Sequence, residues 1–400
     1  MPWKPRDEMS LKREFVELAS QPNANISELC RRFKISRPTG YELLRRWRKD
    51  GESGLEPLSK KPTQSPLQTC LEVEKAVLKV RDENPVWGGR KIRSYLKNQG
   101  QEKLPSASTI TAILKRNGKL DPDERKRGQP FQRFERKEPN DLWQMDFKGH
   151  FALTSGDRCH PLTVLDDFSR YNLVLKACGN EQAKTVQEAL HEAFESYGLP
   201  GQILCDNAPP WGVPDRSARY TKLGIWLLEH GVETIHGKPY HPQTQGKEER
   251  FHRTLKAEVL SSRTQWSDLT ECERSFHSWR AKYNYERPHE SLNDEVPSSR
   301  YRVSTRPFIE QPPEPESHYL EEDQLRRVKS KGEITFKNRF YTIGNGFVGK
   351  TVALRAREED VFEVFYCWKS LGFANFKLPA KEKYRYEALV RSVKDVPEHV

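Results

Sequence analysis

Leu142-Trp143-Gln144-Met145-Asp146-Phe147 is an apolar, aromatic-flanked run around one carboxylate, and it reads as a strand. An acid in such a strand must be paired or must bind something positive, because an isolated charge is costly to bury. Working outward, Leu162-Thr163-Val164-Leu165 and Tyr171-Asn172-Leu173-Val174-Leu175 flank Asp167-Phe168-Ser169-Arg170, which predicts a hairpin. Val186, Leu190 and Phe194 keep helical register over 185–197. Gly201-Gln202-Ile203-Leu204-Cys205-Asp206 is a short buried strand ending on a second carboxylate, just before the turn Asn207-Ala208-Pro209-Pro210. Strands first, then helix and strand in alternation, predict an α/β domain with a mixed sheet over 140–300.

On the amino-terminal side, 8–50 reads as helix, turn, helix. Leu11, Phe15 and Leu18 share one face, and Ser36 is a good N-cap for a helix carrying Tyr41, Leu44 and Trp47 as its apolar stripe. That helix would present Arg37, Thr39, Glu42, Arg45 and Arg46 to solvent. An Arg-rich exposed face can reach phosphates and guanine edges in a major groove; an ordinary three-helix bundle is the plain alternative. A Gly-, Pro-, Ser- and Lys-rich linker covers 51–66. Residues 67–120 then repeat the three-helix theme, with stripes at Val73, Val77 and Val80, at Ile92 and Leu96, and at Ile110 and Leu114. The second stripe follows Trp87-Gly88-Gly89-Arg90-Lys91, so Arg90 and Lys91 join the nucleic-acid-contact candidates. Residues 121–139 read as a basic linker and 301–323 as a Pro- and Glu-rich one. Over 324–378, Ile334-Thr335-Phe336, Phe340-Tyr341-Thr342-Ile343, Thr351-Val352-Ala353-Leu354 and Val361-Phe362-Glu363-Val364-Phe365-Tyr366 are spaced as in a small β-barrel.

The charge is unevenly placed. Of 68 Lys+Arg and 57 Asp+Glu in 400 residues, residues 1–140 hold 31 and 19, so the whole excess of +11 sits in the first third. Such a field suits a polyanion, DNA or RNA, or serves as a solubilising surface. No run approaches 18 apolar residues, which excludes a membrane helix, and the first residues lack the apolar core of a secretory signal. The seven Cys are scattered with no Cys-x-x-Cys pair, which fits a reducing cytosol.

A helix over 247–260 would place Glu249, Arg253 and Lys256 on one stripe and Phe251, Leu255 and Val259 nearly opposite, against the sheet. The acid could complete a metal site with Asp146 and Asp206 while the two bases hold phosphates. A surface helix with a plain Glu–Arg pair at i, i+4 has the same spacing.

Trp143-Gln144-Met145-Asp146, Leu165-Asp166-Asp167-Phe168-Ser169-Arg170, Asp206-Asn207, His241-Pro242-Gln243-Thr244-Gln245-Gly246-Lys247-Glu248-Glu249-Arg250-Phe251-His252-Arg253-Thr254-Leu255 and Tyr283-Asn284-Tyr285-Glu286-Arg287-Pro288-His289-Glu290-Ser291-Leu292 stand in that order. Together they resemble bacterial insertion-sequence transposases of the DDE class, relatives of retroviral integrases, and most of all the four-eighty-one type. The resemblance covers about 8–300, with the carboxy-terminal segment also in character. It implies tandem helix-turn-helix modules, a ribonuclease-H-like mixed-sheet core and a catalytic, metal-binding triad of Asp146, Asp206 and Glu249. Glu249 is the third residue after Gly246, as in the family's Gly-x-x-Glu spacing; Glu248 is the rival, turned about 100° away on the helix. Arg253 and Lys256 match positions that contact the DNA end, and Gln245-Gly246 the mobile loop before the catalytic helix. Forty-two residues lie between Asp206 and Glu249, a longer interval than usual, with the excess expected to loop out within 211–224.

The resemblance further implies two Mg²⁺ ions, replaceable by Mn²⁺, which stabilise the attacking and leaving oxygens of phosphodiester transfer. Water would nick the 3′ ends of the element and the freed hydroxyl would attack target DNA, with no covalent protein–DNA intermediate. The partners implied are double-stranded DNA, both terminal inverted repeats and target, and further copies of the chain in a homodimer or higher oligomer. The location implied is the bacterial cytoplasm at the nucleoid. No Walker-type loop indicates ATP, and no paired His/Cys spacing indicates zinc. A sequence-specific DNA-binding regulator with an inactive core, and a metal-dependent nuclease that does not join, are the alternatives.

Overall fold

The computed structural model describes residues 8–57, 69–120, 135–212, 220–236, 246–262, 265–377 and 387–389. The chain divides into two compact units at Thr69/Cys70. In the first, α1 (Glu8–Ala19), α2 (Ile26–Arg32) and α3 (Arg37–Asp50) pack around Phe15, Val16, Leu43, Leu44 and Leu55. Asn25 and Ser36 cap α2 and α3 by accepting from the amides of Glu28 and Thr39. The apolar stripe of α3 is turned from the expected one: Tyr41 is 57% exposed, while Gly40, Leu43 and Leu44 are buried. Gly40 explains the turn. A Cβ there would meet Cys30 Sγ at 2.5 Å and Phe15 Cζ at 2.9 Å, so α3 crosses its neighbours at this point.

The second unit opens with α4 (Leu71–Glu83), α5 (Gly89–Asn98) and α6 (Ala107–Arg116), which bury Val77, Ile92, Ile110 and Leu114, as the three stripes predict, around Trp87 from the turn between α4 and α5. The sheet follows: β1 (Leu142–Phe147), β2 (Phe151–Ala152), β3 (Arg158–Asp166), β4 (Asn172–Cys178), helix α7 (Ala183–Tyr197), β5 (Gln202–Cys205), helix α8 (Lys222–Glu229) and β6 (Glu233–His236). β3 pairs antiparallel with β1, β2 and β4, whereas β1–β5 and β5–β6 are parallel. Helices α9 (Gly246–Glu258) and α10 (Leu269–Tyr285) lie on one face, α7 and α8 on the other. This is the mixed-sheet, ribonuclease-H-like arrangement.

Strand alternation decides what faces what. Trp143 and Met145 enter the core beneath α7 and α8, while Gln144 and Asp146 turn toward α9. The open edge of β4 is closed by side chains of α10. Glu273 accepts from the Ala177 amide, Arg280 donates to Leu173 O, and Asn284 bonds both the amide and the carbonyl of Asn172. α8 begins at the end of the stretch expected to loop out, and β6 follows where the sequence pattern marked no element. Leu223-Gly224-Ile225-Trp226-Leu227-Leu228 shows no amphipathic period because it is buried from two sides: Leu223 and Leu227 against the sheet, Ile225 against the carboxy-terminal module. Residues 301–308, expected as a linker, instead run as a strap. Ser304 and Arg306 bond the backbone at Tyr197, Leu199, Pro200 and Gly231, and Phe308 stacks on His230.

The carboxy-terminal module consists of β7 (Gln324–Arg327), β8 (Glu333–Phe336), β9 (Arg339–Thr342), β10 (Thr351–Glu358), β11 (Val361–Tyr366), β12 (Lys369–Asn375) and β13 (Glu387–Ala388). The expected strands form, but not a barrel. They make two open sheets, β12-β11-β10-β7 and β13-β9-β8, that share one apolar core. β7, β8 and β9 have four residues each, too few to tilt and stagger around a closed barrel. The module docks on α8 and β6: Lys350 and Tyr366 reach Glu229, and Lys369 reaches Glu233.

Candidate active site

Two of the three singled-out carboxylates come together. Asp146 sits on β1 and Asp206 follows the adjacent parallel strand β5. Asp146 Oδ1 accepts from the Phe147 amide at 2.8 Å. Asp206 Oδ1 accepts from the Ala208 amide at 2.9 Å and from Trp211 Nε1 at 2.5 Å, and its carbonyl accepts from His236 Nδ1 at 2.8 Å. Trp211 also stacks on Phe147 at 5.3 Å, so one indole ties the end of β1 to the turn after β5. Burial first, and then the negative charge of Asp206, push the Asp146 carboxyl up to about 7. Two hard oxygen donors so placed, the charge of one raising the other, fit a divalent cation, which would relieve the repulsion. Among the described residues no three His, Cys, Asp or Glu side chains already converge as metal ligands.

The third carboxylate lies on α9, whose first turn carries two acids in different settings. Glu249, Arg253 and Lys256 all lie on the exposed side, with Phe251, Leu255 and Val259 buried opposite. Glu248 is 1% exposed and points inward. The hydroxyl of Thr163, on β3, lies 3.2 Å from Glu248 Oε2, 2.8 Å from His252 Nε2 and 2.9 Å from the Asp146 carbonyl oxygen. His252 Nδ1 is 3.8 Å from Asp146 Oδ2. Burial and the nearby Asp146 raise the Glu248 carboxyl well above the ordinary range, and Glu248 Oε1 has no hydrogen-bond partner. Burial and the charge of Lys148 lower the His252 imidazole to about 3, so it is neutral. Glu248, His252 and Thr163 therefore form a buried polar floor beneath Asp146. His252 and Thr163 were not singled out from the sequence. Their signal is there: 248 and 252 are polar positions on the inward stripe of α9, and Thr163 interrupts an apolar strand.

A second buried acid anchors the start of α9. Asp167 accepts from Gln144 Nε2 at 2.6 Å, from the Arg136 amide at 2.8 Å, and from Lys247 Nζ. Burial, and then the charge of Arg170, bring the Lys247 ammonium down to about 8. The neighbouring Asp166 binds the amides of Asn140 and Ser169 and the Ser169 hydroxyl. The Asp166-Asp167 motif is thus an internal brace joining β3, the approach to β1 and the catalytic-helix candidate.

The nucleic-acid-contact candidates divide. Arg37, Thr39 and Arg45 lie on the exposed face of α3; Thr39 also shares the Ser36 cap, and Arg45 pairs with Glu42. Arg46 is half-buried and donates to Glu56 O. Arg90 and Lys91 border a seam with the core, where the start of α5 meets the corner between α9 and α10. The Arg90 side chain is 63% exposed and pairs with Glu290 at 2.5 Å, and Lys91 is half-buried, its ammonium pulled down to about 8 by burial and by Arg287. Gln245 lies outside the described residues, as does the rest of 237–245.

Comparison with known proteins adds a consistent set of matches. Integrase core domain models match residues 136–242 and 230–297, a helix-turn-helix domain 11–63, a homeodomain-like domain 39–114, and the C-terminal domain of IS481 family transposases 323–378. The chain is similar to an insertion element IS476 protein of Xanthomonas euvesicatoria, 29% identical over 42% of this chain and 46% of that protein. It is also similar to an insertion element IS407 protein of Burkholderia multivorans, 28% identical over 40% of this chain and 54% of that one. The chain spans about half the length of these relatives. Among solved structures it resembles the HTLV-2 integrase catalytic core in complex with magnesium, at 15% identity and a TM-score of 0.32 over 41% of this chain and 98% of that one.

Proposed function

We propose that this chain, an IS481-type transposase by its domain set, binds the terminal inverted repeats of its element. It then nicks their 3′ ends and joins them to target DNA at Asp146, Asp206 and Glu249. The observation that carries the reading is the pair Asp146–Asp206, drawn from two adjacent strands close enough that one raises the other. Asp146, Asp206 and Glu249 would hold Mg²⁺ or Mn²⁺, which when bound supplies charge neutralisation at the attacking and leaving oxygens. The chain's own groups do the rest. Arg253 and Lys256, exposed on the stripe that carries Glu249, neutralise phosphates of the DNA end. The buried floor of Glu248, His252 and Thr163 holds Asp146 in place. Trp211 holds Asp206 Oδ1 and so aims the second carboxylate. The exposed face of α3 reads one stretch of the repeat. In the second module Arg90 and Lys91, at the start of α5, and the exposed side of α6, with Ser108, Thr109, Thr111 and Lys115, hold a further stretch. Holding two ends together calls for at least two copies of the chain.

The test uses the purified chain, labelled duplexes from both ends of its element, and Mg²⁺ or Mn²⁺. The expected result is 3′-end cleavage plus joined product. Asp146→Asn and Glu249→Gln should lose both by at least about 10³-fold, and Glu248→Gln should keep both. A Glu248→Gln loss with Glu249→Gln active would move the third carboxylate to Glu248. Binding without cleavage would favour a DNA-binding regulator, and hydrolysis without joining a nuclease.

A further inference from the structure

The last turn of α9 ends on a nearly buried carboxylate with three donors. Glu258 Oε1 accepts from Trp87 Nε1 at 3.2 Å and from Arg287 Nε at 2.9 Å, and Oε2 accepts from Trp279 Nε1 at 2.9 Å. The Glu258 and Arg287 side chains are 10% and 7% exposed, and Trp87 is 1% exposed. Trp279 and Arg287 come from α10 and the turn beyond it. Trp87 comes from elsewhere: it is the residue between α4 and α5 of the second helical module. The ammonium of Lys282 sits 5.6 Å from its ring, and the Arg90–Glu290 pair closes the seam beside it.

An apolar seam of the same size would hold the module as firmly, since buried ion pairs add little net stability. Directional bonds add something else: they admit one register. An indole N–H reaching a carboxylate that already binds two other donors permits one placement of the module on the helix. α9 is a rigid rod, and Glu249 lies nine residues before Glu258, about 13 Å along it. One end of the helix thus carries the proposed catalytic acid and the other grips the module proposed to read the DNA.

We propose that the Trp87–Glu258 bond is a positioning contact. It sets the distance along the DNA between the sequence held by the second helical module and the phosphate that is cut. This inference rests on the transposase reading above. Neither Trp87 nor Glu258 touches the reacting atoms; both act through the placement of α9.

The experiment maps the cut at single-nucleotide resolution on labelled end duplexes, for the full wild-type chain, Trp87→Phe and Glu258→Gln. Thermal unfolding and duplex affinity are measured beside it. Trp87→Phe keeps an aromatic ring and removes the donor. The expected result is that wild type cuts one phosphate, while both variants spread the cut over neighbouring phosphates. The fraction at the original position should fall about two- to tenfold, the range one hydrogen bond supports, with affinity and total hydrolysis unchanged. A merely structural role would lower total activity and leave the position alone. Two folded variants that cut the wild-type phosphate as cleanly as wild type would overturn the proposal. An exonuclease footprint on the same duplex reads the spacing without any cleavage: its core-side boundary should be sharp for wild type and blurred for the variants. A wild type that binds but does not cut sinks the transposase reading, and the footprint still decides this one. A wild type that does not bind its ends sinks both.

Discussion

At the residue scale the molecule keeps acids where their charge is expensive. Asp146 holds its proton to about pH 7 in the fold, against about 4 in an unfolded chain. Between those values the unfolded chain binds fewer protons, so stability falls as pH rises from 4 to 7. In metal-free buffer, Asp146→Asn should therefore raise the Tm at pH 8 by several degrees and leave it unchanged at pH 4. An equal shift at both pH values would disprove this origin. Added Mn²⁺ should raise the wild-type Tm at pH 8 and leave that of Asp146→Asn unmoved. The two aspartates were legible in the sequence because each is a lone charge in or at the end of an apolar strand. The floor beneath them was not. Glu248 and His252 look like members of a charged helix until the packing shows that their stripe is the inward one.

At the element scale, a few contacts fix how helices meet the sheet. Lys247→Met would leave Asp167, which has no exposed side-chain surface, with Gln144 and the Arg136 amide as its partners among the described residues. Breaking such a pair costs up to about 3–5 kcal/mol. Lys247→Met together with Asp167→Asn should cost less than the sum of the single changes in denaturant unfolding. Gly40→Ala should destabilise by about 1–3 kcal/mol, since the new methyl meets Cys30 and Phe15 inside the crossing of α1, α2 and α3. Calorimetry of the full chain reads this as a loss confined to one transition. Helix type was legible where one face was wet: α7 and the three stripes of the second module. β1, β3 and β4 are buried on both faces and were legible as short apolar runs bounded by turn residues. A helix covered on both sides was not. α8 shows no period because the sheet takes one side and the carboxy-terminal module the other. The 301–308 strap hides its role in backbone hydrogen bonds that composition does not report.

At the scale of the whole molecule, charge and docking divide the work. The basic excess lies in residues 1–140, ahead of the carboxylate site. Binding of end duplexes should weaken steeply with salt, by about 10³–10⁵ between 50 and 200 mM if six to ten phosphates are neutralised. A chain lacking residues 1–69 should show a shallower slope in a filter-binding titration. The expected barrel failed at this scale as well. Strand spacing reports how many strands there are, but closure depends on strand length and stagger, and here the two sheets stay open around a shared core.

The closing of β4 by Glu273, Arg280 and Asn284 has a consequence for crowding. A bare strand margin is an invitation: any extended segment that drifts past can zip onto it, with no regard for sequence. Here four of those groups, at Asn172, Leu173 and Ala177, answer instead to three side chains at fixed addresses along one helix. When copies of the chain crowd together, encounters at this margin meet side chains in place of a bare row of backbone donors and acceptors. Assembly there is left to shape and side-chain chemistry, which can discriminate, rather than to backbone pairing, which cannot.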